Sequence, residues 1–158
     1  MSTIQISGSS LSANFSVELT GSKSETNRLL LLAALYPNLT LLNDSNAHDV
    51  SVMKKALQLS SGTVDIHHAG TAMRFLTAYF SVSENAEVLL TGSNRMKQRP
   101  IALLVDALRA LGATIEYRGE EGYPPLHIKG AVLPRSSVSI AANVSSQYLS
   151  ALCLVGAK

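Results

Sequence analysis

Four short segments of the sequence combine small, hydroxylated and basic residues in a way that suits the binding of anions. Each segment lies just before or at the start of a predicted helix, where free backbone N–H groups and the positive end of the helix dipole favour negative charge. Arginine binds a carboxylate or a phosphate through two parallel hydrogen bonds, and lysine adds a compact positive charge. We therefore predict that the segments converge on a small ligand with several anionic groups. They are TGSKSETNR (20–28), HHAGTAMR (67–74), TGSNRMKQRP (91–100) and NVSSQY (143–148).

Basic residues are concentrated in these segments, although the net charge of the chain is only +2. Of the 13 Lys and Arg residues, six lie in the four segments, where Glu25 is the one acidic residue. So small a net charge does not predict a nucleic-acid partner, and the basic segments lack the interleaved aromatic residues of a single-strand groove. The six cations are Lys23, Arg28, Arg74, Arg95, Lys97 and Arg99.

Each segment also has a purely structural interpretation. Ser22 and Thr71 could act only as helix caps, and Arg74 could neutralise a buried carboxylate. The alternating cations of segment 95–99 could form an ordinary solvated loop. The coincidence of four such segments favours the binding interpretation more than any one of them does.

The sequence predicts neither a metal site nor an organic cofactor. His67 and His68 are adjacent, so in an extended segment their side chains would point to opposite faces, and no set of further ligands completes a site. The G-x-S-x-G elbow, the P-loop and the dinucleotide fingerprint are all absent from the sequence. Cys153 is the single cysteine, which excludes an internal disulfide, and its apolar neighbours predict a reduced thiol in the core.

The composition is typical of a globular chain whose surface is partly covered by something else. Hydrophobic residues make up 46% of the 158 residues, while charged residues make up only 15%, well below the usual share. The longest apolar run, 29–36, is too short to span a membrane. The first ten residues lack the basic and apolar regions of a secretory signal. We therefore expect a cytoplasmic protein with no membrane partner.

Hydrophobic patterns predict an α/β (α+β) chain. Ser22 and Glu25 form a capping box at the start of the first helix, whose LLLLAAL run is apolar on every side and predicts complete burial. Pro100 and Gly112 are expected in the first turn and at the C-cap of the fourth helix. The predicted strands are 4–6, 15–20, 39–44, 63–66, 86–92, 113–119, 125–130 and 136–140. The predicted helices are 22–35, 49–60, 69–80, 99–112 and 144–157.

The predicted elements repeat in order. A strand, a buried helix, a strand, an amphipathic helix and a further strand or strand pair occur approximately twice, and a third unit then begins. The last predicted helix is apolar and needs neighbours that the sequence does not supply. We therefore expect the chain to be an incomplete piece of a larger protein.

The strings GSKSETNRLLLLAAL, AGTAMR, RMKQRPIALLVDALRALGA, YPPL and VSSQYLSAL, in this order, resemble the N-terminal portion of the 5-enolpyruvylshikimate-3-phosphate synthase (3-phosphoshikimate 1-carboxyvinyltransferase) family. The resemblance implies two domains, each of three βαβαββ units with buried helices and outer sheets, and an active site between the domains. Residues 1–12 would be a strand and crossover belonging to the other domain. Residues 13–158 would be an incomplete substrate-binding domain with two repeat units and the start of a third.

The resemblance also implies roles for individual residues. Lys23 would be catalytic and would touch both substrates, and Arg74 would support its loop. The residues implied to bind shikimate 3-phosphate are Lys23, Ser24, Arg28, Ser145, Ser146 and Gln147. Those implied to bind phosphoenolpyruvate are Lys23, Gly70, Arg99 and Gln147.

The implied reaction transfers the enolpyruvyl group of phosphoenolpyruvate to the 5-hydroxyl of shikimate 3-phosphate and releases phosphate. It belongs to the shikimate pathway, which supplies chorismate and the aromatic amino acids, and it implies no metal or cofactor. A missing C-terminal domain would be the partner of this portion. Alone, the chain is expected to bind substrate without turnover.

The sequence departs from the family pattern in three places. His68 replaces an asparagine, Phe75 replaces a common proline, and the stretch 59–68 is short. Two alternatives are a stand-alone anion-binding module and the enolpyruvyl transferase that acts on UDP-N-acetylglucosamine. The loop cysteine of that transferase has no counterpart, because Cys153 lies in a predicted helix.

Overall fold

The computed structural model describes residues 4, 5, 8, 14, 16–135, 137–141, 143 and 145–156. These residues form five α-helices and four strands, which confirms the predicted mixed α/β class. The helices are α1 (Lys23–Leu35), α2 (His48–Ala56), α3 (Gly70–Val82), α4 (Ala102–Leu111) and α5 (Ser146–Val155), with a 3₁₀ turn at Met96–Gln98. The strands are β1 (Ser61–Asp65), β2 (Glu87–Thr91), β3 (Thr114–Tyr117) and β4 (Leu126–Lys129).

The four strands form one sheet in the order β1-β2-β4-β3. Strands β1 and β2 are parallel, while β4 is antiparallel to both β2 and β3. Because α3 connects β1 to β2 and α4 connects β2 to β3, residues 61–129 form one complete βαβαββ unit. In the predicted order of elements, strand 63–66 is the further strand that ends the first unit. The parallel pairing of β1 with β2 shows instead that this strand begins the unit 61–129.

Helix α3 forms the centre of the core. Its sequence GTAMRFLTAYFSV is mostly apolar, and ten of its residues are buried, among them Phe75, Leu76 and Phe80. It packs against every other α-helix and against the sheet. A helix that is apolar on nearly all sides is stable in water only when it is covered in this way.

Helix α1 is less buried than its sequence predicts. Ser22 caps it by accepting a hydrogen bond from the Glu25 N–H at 3.5 Å, as the capping box predicts. Leu31 and Leu35 are buried, but Leu29 remains 39% exposed. The prediction of burial on every side is wrong because α1 packs on α2, α3 and α5, and no strand of the described residues covers its outer face.

Several predicted strands are not formed. Residues 16–20, 39–44 and 137–141 contain no strand, and Val17 and Leu42 are 62% and 87% exposed. Of the predicted strand 4–6, residues 4 and 5 are not in a strand, and residue 6 lies outside the described residues, as do Phe15 and Ser136. An alternating pattern predicts which face of a strand would be buried, but a strand also needs a neighbour for its hydrogen bonds.

The two ends of α4 and the position of Cys153 agree only in part with the sequence prediction. Gly112 is the C-cap of α4, with φ at 109°, as predicted, but α4 begins at Ala102 and leaves Pro100 outside it. Cys153 is exposed, so the prediction of a core thiol is wrong. Helix α5 buries the face that carries Tyr148, Ala151 and Val155, and Cys153 lies on another face.

The residues that the structure describes contain no helix that is long and apolar enough to cross a membrane.

Candidate anion-binding site

The parallel strands β1 and β2 bring two of the four predicted segments together. The strands end side by side at Asp65 and Thr91, so the segments that follow them leave the sheet at the same edge. The Ser93 N–H donates to the His67 carbonyl at 3.0 Å, and the Ser93 hydroxyl pairs with Nδ1 of His68 at 2.8 Å. His68 therefore joins the two segments at the position where the family pattern has asparagine.

Gly70, at the start of α3, lies against two guanidinium groups. A Cβ atom at this position would collide with Nη1 of Arg99 and would lie 3.3 Å from Nη1 of Arg74. Arg74 also donates from Nη1 to the Gly70 carbonyl at 2.7 Å. The absence of a side chain at Gly70 thus lets two cations approach the N-terminal end of a buried helix.

Neither of these two cations has an acidic partner among the residues that the structure describes. Within the described part of the chain, Arg74 and Arg99 form no ion pair, and the buried Nε of Arg74 has no hydrogen-bond partner. Burial lowers the pKa of the Arg74 guanidinium, and the charge of Arg99 lowers it further. An arginine remains charged under these conditions. The interpretation that Arg74 neutralises a core carboxylate is therefore wrong, and in the described residues the positive charge that faces Gly70 has no carboxylate partner.

Helix α5 brings a third segment to the same place. The Gln147 amide donates from Nε2 to the Thr71 hydroxyl at 3.4 Å, so Thr71 contacts α5 and does not cap α3. The ring of Tyr148 lies 5.7 Å from the Arg74 guanidinium, a cation–π distance. Ser145 occupies the N-cap position of α5, yet its hydroxyl forms no capping hydrogen bond. It is half-buried, and Ser146 beside it is exposed.

The fourth segment, at the start of α1, joins this group through one contact. The Arg28 guanidinium lies 5.8 Å from the centre of the Phe75 ring and donates to the Ser24 carbonyl at 3.0 Å. Phe75, which replaces the family's proline, follows Arg74 in α3 and thus provides the contact with α1. Lys23 lies at the first position of α1 and is half-exposed.

The structure therefore brings Gly70, Arg99 and Gln147 to one place, with Ser145 and Ser146 at the start of the same helix as Gln147. Arg28 reaches α3 beside them. Lys23 forms an ion pair with Asp49 at 3.4 Å, and in the described residues it has no hydrogen bond or ion pair with the other predicted site residues. Of the remaining predicted cations, Arg95 and Lys97 are exposed around the 3₁₀ turn.

Sequence reasoning missed Asp49, and it gave no role to Tyr148, although Tyr148 lies in segment 143–148. Each contacts a residue far away in the sequence, so no local pattern predicts the contact. The His67 and His68 rings lie 4.2 Å apart, and the described residues contain no group of three His, Cys, Asp or Glu side chains arranged for a metal.

Comparison with known proteins gives one consistent result. The family model of EPSP synthase (3-phosphoshikimate 1-carboxyvinyltransferase) matches residues 43–158. Proteins named 3-phosphoshikimate 1-carboxyvinyltransferase are similar, with 49% identity in Bacteroides fragilis (strain YCH46) and 42% in Janthinobacterium sp. (strain Marseille). The alignments cover 89% and 87% of this chain but only 34% and 37% of those proteins. The chain thus spans about a third of the length of the relatives it matches.

Solved structures agree with this result on the fold. A structure of EPSP synthase from Acinetobacter baumannii superposes with a TM-score of 0.72 at 19% identity, and covers 88% of this chain and 37% of its own. A second structure of EPSP synthase from Acinetobacter baumannii, at 2.37 Å, gives a TM-score of 0.68 over the same shares. At this identity the likeness concerns the fold alone.

Proposed function

Because the chain belongs to the EPSP synthase (3-phosphoshikimate 1-carboxyvinyltransferase) family, we propose that it is the substrate-binding portion of an enzyme that joins phosphoenolpyruvate to shikimate 3-phosphate. The observation that carries the proposal is the pair of guanidinium groups of Arg74 and Arg99 at Gly70, which form no ion pair in the described part of the chain, with the start of α5 beside them. Such an arrangement suits ligands that carry several negative charges.

Shikimate 3-phosphate would bind between the starts of α5 and α1. Its phosphate would accept hydrogen bonds from the hydroxyl groups of Ser145 and Ser146 and from the free N–H groups at the start of α5. The uncapped hydroxyl of Ser145 supports this placement. Lys23, Ser24 and Arg28 would contact the ligand from α1. Gln147 would lie beside both ligands.

Phosphoenolpyruvate would bind at the start of α3. The backbone of Gly70 allows the ligand a close approach, and Arg99 would bind one of its anionic groups with two hydrogen bonds. Lys23 would act on both substrates and is the catalytic residue of the proposal. Arg74 would hold the Gly70 carbonyl and maintain the positive field around it.

The proposed reaction is an addition followed by an elimination. The 5-hydroxyl oxygen attacks C2 of phosphoenolpyruvate and loses its proton, and C3 gains a proton. The resulting tetrahedral ketal phosphate then loses phosphate from C2 and a proton from C3, which restores the C2–C3 double bond and leaves the enolpyruvyl ether. Both substrates are multiply charged anions, so fixed cations offset their repulsion and stabilise the encounter before any chemistry occurs.

The length of the relatives supports the assignment of this chain to an incomplete part of the enzyme, because the chain spans about a third of them. We assign residues 13–158 to an incomplete substrate-binding domain and residues 1–12 to the other domain. The proton-transfer groups would lie in the C-terminal domain that completes the site. We place the reaction in the cytoplasm. A binding module without chemistry is the second candidate, because the chain spans only about a third of the curated relatives.

A titration of the purified chain tests the proposal. We expect weak binding of shikimate 3-phosphate and weaker binding of phosphoenolpyruvate, with inorganic sulfate as the control anion. Ion pairs in an open site are worth about 1 kcal/mol each because water screens them. Binding of both substrates no tighter than that of sulfate would contradict the proposal.

An assay of phosphate release tests whether this chain, besides binding the substrates, supplies the proton-transfer groups. The chain with both substrates should release no phosphate. Turnover by the chain alone would show that its own residues supply the proton-transfer groups.

A further inference from the structure

The start of α2 is fixed against the start of α1. A Cβ atom at Gly21 would collide with the carbonyl oxygen of Asn43, so the two backbones are in direct contact. The Ser45 N–H donates to the Thr26 hydroxyl at 3.1 Å, and both of these residues are buried. Segment 43–47, which leads into α2, therefore has a defined position relative to the first turn of α1.

This arrangement places Asp49 opposite Lys23. Asp49 lies in the first turn of α2, and its Oδ2 is 3.4 Å from Nζ of Lys23. The Asp49 side chain is 24% exposed and the Lys23 side chain 50%. The ion pair thus has one end held at the start of a helix and one end open to solvent.

We propose that Asp49 is a positioning residue, which holds the Lys23 ammonium group at the mouth of the site and leaves part of it for the substrates. A lysine ammonium has three N–H donors and no acceptor. Asp49 takes one donor, so two remain for anionic oxygens. The inference rests on the proposed role of Lys23 as the cation that contacts both substrates.

Two simpler roles for Asp49 predict different results. A carboxylate in the first turn stabilises a helix through the dipole, and in that role it would affect α2 but not Lys23. A carboxylate near an anion site also repels anions, so its removal would tighten binding if only the field mattered. A positioning role predicts the opposite sign, because the freed lysine must be ordered when the ligand binds.

The first experiment is a titration of shikimate 3-phosphate into the full chain and three variants. We expect Asp49→Asn to weaken binding by about fivefold, the size of effect typical of an exposed ion pair. Asp49→Glu, which restores the charge, should recover part of the loss. Asp44→Asn is the matched control, because Asp44, which precedes α2, forms an ion pair with Lys54 in the last turn of that helix. It should leave the affinity unchanged.

A double-mutant cycle shows whether Asp49 acts through Lys23. In the Lys23→Met background, Asp49→Asn should no longer weaken binding. Equal losses with and without Lys23 would overturn the proposal, and so would tighter binding by Asp49→Asn in the otherwise unchanged chain.

A measurement without ligand keeps the inference separate from the proposed function. NMR relaxation of the lysine side chains should show that Asp49→Asn increases the mobility of Lys23, whereas Asp44→Asn increases that of Lys54. Unchanged Lys23 mobility in Asp49→Asn would refute the positioning role. If the unaltered chain bound neither substrate, the proposed function would fail, and the relaxation data would still decide whether Asp49 holds Lys23.

Discussion

The Tyr148 hydroxyl donates a hydrogen bond of 2.8 Å to the carbonyl of Pro100, the residue that follows Arg99. This bond links helix α5, which carries Ser145, Ser146 and Gln147, to the backbone that carries Arg99. The Tyr148 ring is 6% exposed and lies near the Arg74 guanidinium. Three of the four segments predicted to bind anions therefore meet at one side chain.

Removal of this hydroxyl should destabilise the fold measurably. Tyr148→Phe loses one hydrogen bond and leaves the core unchanged in shape, so the free energy of unfolding should fall by about 1 kcal/mol. Urea denaturation followed by circular dichroism measures the change. Tyr79→Phe is the control, because the Tyr79 hydroxyl has no hydrogen bond in the described part of the chain, and its effect should be a few tenths of that size at most. Equal effects of the two substitutions would show that the bond to Pro100 contributes nothing.

A methyl group at Gly70 should displace Arg99. The Cβ atom of Gly70→Ala would occupy the place of the Arg99 guanidinium, which is the flexible end of a long side chain and can move. We expect the fold to remain intact, while binding of phosphoenolpyruvate weakens by about tenfold. Calorimetric titration provides the affinity and thermal unfolding the control for stability. Gly119→Ala, where a Cβ atom would meet only Pro125 at an ordinary 3.5 Å, should change neither quantity. Unaltered phosphoenolpyruvate affinity in Gly70→Ala would argue against the placement of that ligand.

Arg28 and Arg99 should serve different ligands. Arg28 lies on α1 and Arg99 lies against Gly70, so Arg28→Ala should weaken shikimate 3-phosphate binding more, and Arg99→Ala should weaken phosphoenolpyruvate binding more. All affinities should fall as the salt concentration rises, because exposed charges are screened. Titrations of both ligands at two salt concentrations test this. Equal losses for both ligands in both variants would mean that the two arginines only set a general positive field.

Acid should weaken the fold through the outer face of the sheet. The Lys129 ammonium, and to a lesser extent His127, lowers the pKa of Glu87 below its ordinary 4.5. Because the carboxylate is favoured in the folded state, its contribution is complete above pH 4.5 and is lost as the pH falls through the lower folded-state value. Urea denaturation at pH 7 and at pH 3 should therefore show a smaller acid-induced loss in Glu87→Gln than in the unaltered chain. Glu84→Gln, which removes an exposed carboxylate without an ion pair in the described residues, should leave that loss as it was.

The sequence predicts the helices better than it predicts the strands that would pack over them. The start of α1 follows from Ser22 and Glu25, and the end of α4 follows from Gly112, because these signals act within a few residues. Strands β2, β3 and β4 also carry alternating or apolar patterns, whereas β1 has a single apolar residue, Val64. Segments 16–20 and 39–44 carry similar patterns, yet they form no strand, since pairing depends on a neighbour elsewhere in the chain.

The site was predictable in its composition but not in its internal contacts. Family-like strings identify Lys23, Gly70, Arg99 and Ser145–Gln147 as candidates, and the parallel pairing of β1 and β2 explains how two of the segments meet. No local pattern connects Lys23 with a carboxylate 26 residues away, or Tyr148 with a carbonyl 48 residues away. Such contacts arise only from tertiary packing.

The central position of α3 links occupancy of the site to the whole core. Its first residues hold the ligand in our proposal, and most of its remaining residues are buried. The effect of an anion bound at Gly70 would therefore extend beyond the loop that contacts it. It would slow amide hydrogen exchange along α3 and in the strands packed on it, because those amides exchange only when the core unfolds. Conversely, a substitution far from the ligand, at Phe80 for example, would change the affinity of the site, because Phe80 and Gly70 lie on the same helix.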